Sequence, residues 1–285
     1  MLNPRAALYA TPRFLKDCLM RNFVVPVLIA ALMFTPSLAH EYYLEPDKYE
    51  VALGEEFGIA HKNGMRFKGN AYPWIGQWNV RSEAWQNGVG VKVFGKDGDR
   101  PALKLKSDQT GLVSIIHQSN PSALTFTEWE KFKSYLADEG LEHIEPLHIE
   151  KGFPKSPVKE VYSRFAKTLI NVGSADDVEK PAGLKIELLA LANPARLQRG
   201  DTMPVQLLWD GKPLPNTTVK VFAGIGTDEA HRLITNAKGQ TQVPDSGPGP
   251  YLLNAVHMRE PLTSADVAKG AHWESFWASM TFSRN

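Results

Sequence analysis

The stretch TMPVQLLWDGKPLPNTTVKVFAG, Thr202 to Gly224, carries the plainest strand pattern in the chain. Val205, Leu207 and Trp209 share one face by period-two alternation. Asp210-Gly211 is a turn signal, because a tight hairpin turn needs residues that tolerate φ above zero. The whole stretch is therefore expected to be a β-hairpin. Around it lie LKIELLALAN (184–193), a second expected hairpin in HRLITNAKGQTQVP (231–244), and the strands GPYLLNAVHM (249–258) and ESFWASMTFS (274–283). Short strands at regular spacing, punctuated by turn residues, describe an immunoglobulin-like or transthyretin-like β-sandwich over residues 184–285. That architecture serves too many functions to name one.

The first half repeats the theme. EYYLEPDKYEVALGEEFGIAHKNG (41–64), VGVKVFGKDG (89–98) and GLVSIIHQS (111–119) read as strands, giving a second sandwich over 40–172. A helical insert is expected to interrupt it at about 127–165. In TFTEWEKFKSYLADEG, Thr127 and Glu130 have capping-box spacing, Trp129, Phe132 and Leu136 share a helical face, and Gly140 follows as a stop. SPVKEVYSRFAK begins with a cap residue and Pro157 at the first helical position, so it is read as helix. The polar segment 173–183 is read as the linker between two domains.

The 20 prolines and 22 glycines suit such a turn-rich, mainly β chain. A net charge of +1 offers no attraction for nucleic acid or an anionic membrane surface. The only strongly apolar run, FVVPVLIAALMF (23–34), is short for a membrane span and follows Arg21. Ser37 and Ala39 then occupy the positions a signal peptidase reads. Residues 1–39 are thus expected to be a signal peptide starting at Met20, cleaved after Ala39, which sends the protein to the periplasm. The single cysteine, Cys18, would leave with it, so neither disulfides nor a thiolate metal site is expected in the mature chain.

Cleavage would make His40 the first residue. An N-terminal histidine offers its α-amine and ring Nδ1 to one metal, and such nitrogen sets suit nickel or copper. His117, at the end of an apolar strand, is the candidate partner, with a core histidine as the alternative reading. His148, in the insert, is the third candidate. His61 reads as a strand-end surface residue and His257 as a packed one; His143, His231 and His272 have no context that raises them. Tyr72, Trp74, Trp78 and Trp85 are expected to close the core rather than form a sugar platform. No HExxH, glycine-rich phosphate loop or GxSxG motif is present.

Several motifs in order carry a resemblance: AHEYYLEPDKYEVALGE, HQSNPSALTFTEWEKF, YSRFAKTLINVG, LLALANPARLQRGDTMPVQLLWDGKPL, TNAKGQTQVP and WESFWASMTF. Together they resemble a bacterial family of secreted proteins whose domain is formally of unknown function. That family is described as a periplasmic component associated with nickel or cobalt uptake. The resemblance covers almost the whole mature chain. It implies immunoglobulin-like domains, a His-Glu start and a strand-end histidine matching His117. Phe165 stands where relatives carry histidine or tyrosine, so no ligand is placed there. The leading expectation is a non-enzymatic protein that binds a divalent transition metal, nickel or cobalt or else copper, through His40, His117 and His148 and passes it to a membrane importer. The alternatives are a copper-dependent oxidative enzyme on polysaccharide, or a plain carbohydrate- or protein-binding module.

Overall fold

The computed structural model describes residues 40–174, 176–262 and 270–285. The expected signal peptide, its cleavage point and Cys18 lie outside the described residues. In chain order the strands are β1 (Glu41–Pro46), β2 (Glu50–Val51), β3 (Glu56–Met65), β4 (Lys68–Tyr72), β5 (Asn79–Gln86), β6 (Val89–Lys92), β7 (Leu103–Lys106), β8 (Gly111–Ser119) and β9 (Ser122–Phe126). Two helices follow, α1 (Trp129–Glu139) and α2 (Ile144–Glu150). Then come β10 (Val158–Val172), β11 (Ile186–Ala190), β12 (Met203–Trp209), β13 (Lys212–Pro213), β14 (Thr218–Ala223), β15 (Glu229–Ile234), β16 (Gln240–Val243), β17 (Gly249–Arg259) and β18 (Trp273–Arg284). The chain is mainly β and immunoglobulin-like in its sandwich layering, as expected.

The two halves share one sheet. Ten strands form it, ordered β15-β14-β17-β18-β10-β8-β5-β6, with β2 and β9 also paired to β10. The seam is a parallel pairing of β10 with β18, from Glu160↔Trp273 to Thr168↔Thr281. Residues 165–172 of β10 and 111–117 of β8 are buried without a break. Such a run is the mark of a strand covered on both faces.

Alternation sorts the two covers. Leu112, Ile116, Phe165, Leu169, Phe276 and Met280 pack with Ile186, Leu188, Val205 and Leu207 of the β11-β12-β13 sheet. On the opposite face, Val113, Ile115, Ala166 and Ile170 pack with Leu44, Phe57, Ile59 and Leu103 of the β1-β3-β4 sheet and β7. The helices finish that face, with Phe132, Leu136 and Ile144 against Val256, Met258, Trp273 and Trp277.

Four expectations need correction. The hairpin turn at Asp210 (φ 53°) and Gly211 (φ 73°) forms, but its second arm is only β13. β14 instead crosses to the central sheet and pairs β15 and β17, so the stretch links two layers. The turn at Asn236–Gly239 likewise joins β15 of the central sheet to β16 of the outer one. SPVKEVYSRFAK is not helix: β10 starts at Val158, held by β9 and β18. Two ladders supply more hydrogen bonds than a lone helical cap, so tertiary pairing overrides the local start signal. Finally, α1 has Glu128 at its N-cap without a side-chain bond, so the Thr127–Glu130 box does not form.

Residues 176–183 lie against β8 of the central sheet and β11, an end strand of the outer sheet. Asp177 accepts the Leu112 amide at 2.9 Å, and Glu179 accepts Ser114 Oγ and the Ala190 amide, each at 2.8 Å. Gly140 ends α1 in the left-handed region, φ 70°, as its position promised. A Cβ there would stand 2.0 Å from Thr218 Oγ1 of β14. Gly140→Ala is therefore expected to lower unfolding stability by about 1–3 kcal/mol through overpacking and backbone strain. Urea unfolding measures it, and a change near zero would show that α1 does not press on β14.

Candidate functional site

The ladder between β10 and its antiparallel neighbours has a gap. β9 pairs with residues 158–162, ending at Tyr162↔Ser122, and β8 resumes only at Leu169↔Ser114. Across the gap the Arg164 amide donates to Ser119 Oγ at 3.0 Å. β5, on the other side of β8, carries an irregularity at Asn79–Arg81. Interruptions of this kind re-aim side chains beside binding sites. A cavity of about 290 Å³ opens at this point.

Four hydrophobic rows run toward it and end in polar residues. Phe57 and Ile59 of β3 are followed on the same face by His61. Val113 and Ile115 of β8 are followed by His117. Ile170 and Ala166 of β10 are followed by Arg164, and Leu44 of β1 by Tyr42. His61, His117, Arg164 and Tyr42 all line the cavity, with Tyr72 and Trp78 near its mouth. Each strand thus spends its apolar positions on the core and the inward positions beyond them on the site.

The two histidine rings stand 4.9 Å apart, centroid to centroid, and Tyr42 lies 5.0 Å from His117. Both are nearly fully buried, at 4% and 2% exposure. Burial lowers the pKa of His61 to about 4. Burial, with a smaller push from His61, holds His117 well below the ordinary value. Both imidazoles are therefore neutral at pH 7, the form that ligates metal. His61 Nε2 and His117 Nδ1 have no hydrogen-bond partner among the described residues. Buried polar atoms are ordinarily paired, so two orphans in one cavity wall mark a site kept open for something else. Among the described residues no three His, Cys, Asp or Glu side chains converge as a ready-made metal cluster.

His117 is thus where its row placed it. His61 corrects its reading as a surface residue: β3 runs on to Met65 because β1 and β4 flank it. The period-two row Phe57, Ile59, His61 was the signal that could have found it. His40 is exposed and precedes β1, on the Tyr42–Leu44 side by alternation; it does not line the cavity. His148 is not brought to the site. Its Nδ1 accepts from Trp273 Nε1 at 2.9 Å and its Nε2 stands 3.1 Å from the Pro154 carbonyl, so both nitrogens serve the helix core. His257 packs on Trp209, at 4.5 Å between rings. Trp74 belongs to the core under the β1-β3-β4 sheet and Trp85 packs against the core on the opposite face of the central sheet, while Tyr72 and Trp78 pair edge-on at the cavity.

Just outside the cavity, Glu160 is 1% exposed. It accepts from Tyr135 of α1 and Ser275 of β18. Burial raises its pKa to about 7, the two hydroxyls and the charge of Arg164 pulling the other way. Between the ordinary 4.5 and about 7 the folded chain holds a proton the unfolded chain has released, so stability falls as pH rises through that window. Glu160→Gln is expected to remove this slope and to gain up to about 3 kcal/mol at pH 8, since each tenfold difference in proton affinity is worth roughly 1.4 kcal/mol. Urea unfolding from pH 4 to pH 8 reads both, and parallel profiles for the two proteins would sink the assignment.

No curated protein matches the chain. Among solved structures it is similar to the D0-D1 domain of Intimin, at 13% identity and TM-score 0.20, covering 84% of this chain and 96% of that one. It is also similar to the human OSCAR ligand-binding domain, at 10% identity and TM-score 0.20, covering 84% and 97%. The model of one family, Domain of unknown function (DUF4198), matches residues 37–259. That match spans most of the chain, both sandwich layers and every residue of the cavity, and the chain belongs to the DUF4198 family.

Proposed function

We propose that the protein binds a divalent transition metal in the periplasm and supplies it, as nickel or cobalt, to a membrane importer. The observation that supports the reading is the His61–His117 pair: two neutral, buried imidazoles in contact, each with an unpartnered nitrogen in one cavity wall. Metal–nitrogen bonds of about 2.0–2.1 Å require ligating rings to be neighbours, as these are. Imidazole suits nickel, cobalt, copper and zinc alike, and copper binds such nitrogen sites most tightly, so selectivity comes from supply and geometry. His40 lies just before β1 and outside the cavity wall, so after cleavage behind Ala39 its freed amine and ring would add two more nitrogens only by turning toward Tyr42. The metal is cargo, so the remaining coordination positions stay open for exchange.

The test is nickel titration by calorimetry of three proteins: the chain starting at His40, the same chain with one glycine added before it, and His117→Ala. One strong site in the first, weakened in the second and lost in the third, is the expected pattern. Equal affinity in the first two removes His40 from the ligand set. Equal affinity in all three removes the site.

A further inference from the structure

The cavity holds a third group that the metal reading leaves idle. Arg164 lies in its wall, its guanidinium stacked 4.3 Å over the Trp277 ring and 5.0 Å from the Tyr162 ring. Its Nη1 is buried and unpartnered. No carboxylate among the described residues forms an ion pair with it. Glu160 and Glu139 act on it only across space, and both have other partners: Tyr135 and Ser275 for the first, Lys220 and Asn254 for the second. A half-buried cation with carboxylates, Glu41 among them, acting on it only at a distance is costly, and the stacking fixes its direction without neutralising it. Around it stand two more orphan acceptors, Asn63 Oδ1, whose amide can turn to donate, and Asn79 Oδ1, whose amide is fixed by its donation to the Ile75 carbonyl. Tyr42, Tyr72, Ile75 and Trp78 make up the aromatic and apolar part of the remaining wall, and Ser119, Asn120 and Ser122 its polar part.

We infer that the cavity binds a small organic carboxylate, its charge met by Arg164 and its body laid against Tyr42, Tyr72 and Trp78. The guanidinium fork matches either a carboxylate or a phosphate. The charge balance decides between them. One cation compensates one negative charge, whereas a buried phosphate dianion would leave a charge unmatched. The aromatic walls favour an anion with an apolar body over an inorganic one. Neutral His61 and His117 can each turn an N–H toward the ligand. The inference stands apart from the metal, and its test is run without metal.

The probe is benzoate, a monocarboxylate on a flat ring, titrated into the chain starting at His40 after treatment with a chelating resin. Binding is followed by calorimetry and by the Arg164 Nε–H resonance. Expected is saturable binding that moves that resonance, with Arg164→Gln weakening it about 10- to 100-fold, the worth of a charged hydrogen bond. Arg164→Lys should fall between, since it keeps the charge and loses the fork. Urea midpoints of the variants separate lost binding from lost folding. Should Arg164→Gln fail to fold, the resonance shift in the parent protein decides alone. No binding by the parent at millimolar benzoate, equal binding by Arg164→Gln, an unmoved Arg164 resonance, or tighter binding of inorganic phosphate overturns the inference.

Discussion

Lys167→Met is expected to remove about 3–5 kcal/mol of unfolding free energy, because it strips the only cation from a buried triad and leaves two carboxylates without one. Lys167 on β10 points away from the site, into the layer contact with β11. Its ammonium lies 2.6 Å from Glu179, 2.7 Å from Glu187 and 3.0 Å from the Leu188 carbonyl, all nearly solvent-free. Burial opposes the charge, but the two carboxylates outweigh it and hold the lysine pKa above its ordinary value. Glu187 also accepts the amides of Ala182, Gly183 and Leu184. The triad therefore ties the central sheet, the outer sheet and segment 173–183 together. Against a typical total of about 5–15 kcal/mol, such a loss shifts a urea midpoint visibly. Lys167→Met combined with Glu179→Gln and Glu187→Gln should recover most of it, since no charge is then stranded. A single variant within about 1 kcal/mol of the parent would mean the triad does not hold the layers.

The second large effect concerns the metal. His61→Ala and His117→Ala are each expected to cost nickel affinity more than the roughly 10–100-fold that loss of an outer-shell partner costs. The unpartnered nitrogens make a contrasting prediction for stability. Replacing an unsatisfied buried polar group by an apolar one of similar shape is nearly neutral or stabilising. His117→Leu should therefore abolish metal binding while leaving the metal-free protein as stable as before, or more so. His148→Leu should do the opposite. It strands the Trp273 indole N–H and the contact to Pro154, so it destabilises the fold and leaves nickel affinity unchanged. Calorimetry paired with urea unfolding reads both axes. Nickel loss in His148→Leu, without loss in His117→Leu, would place the site in the helix core instead.

Most strands were legible, because alternation and turn residues are local signals. β8 was read from Gly111 to Ser119, and β17 and β18 to within a residue or so at each end. What each strand pairs with was not legible. The Asp210-Gly211 turn is local, but β14 leaves its expected partner because the central sheet offers β17 and β15 on its two sides. Likewise Ser156-Pro157 looks like a helix start, and only the pairing with β9, β8 and the distant β18 shows why Val158–Val172 is a strand. The site was half legible. His117 stood out as a polar end to an apolar strand. His61 had the same signal in Phe57, Ile59, His61, obscured by the turn-like Lys62-Asn63-Gly64 behind it. Arg164 was hidden altogether, since its exposure of one face to the cavity depends on the missing rungs between β10 and β8.

The most direct measurement is anomalous X-ray scattering from crystals of the chain starting at His40, grown with nickel. One strong peak is expected in the cavity, about 2 Å from a nitrogen of His61 and a nitrogen of His117. A peak bound to other residues, with both of these imidazoles free, would contradict the metal site.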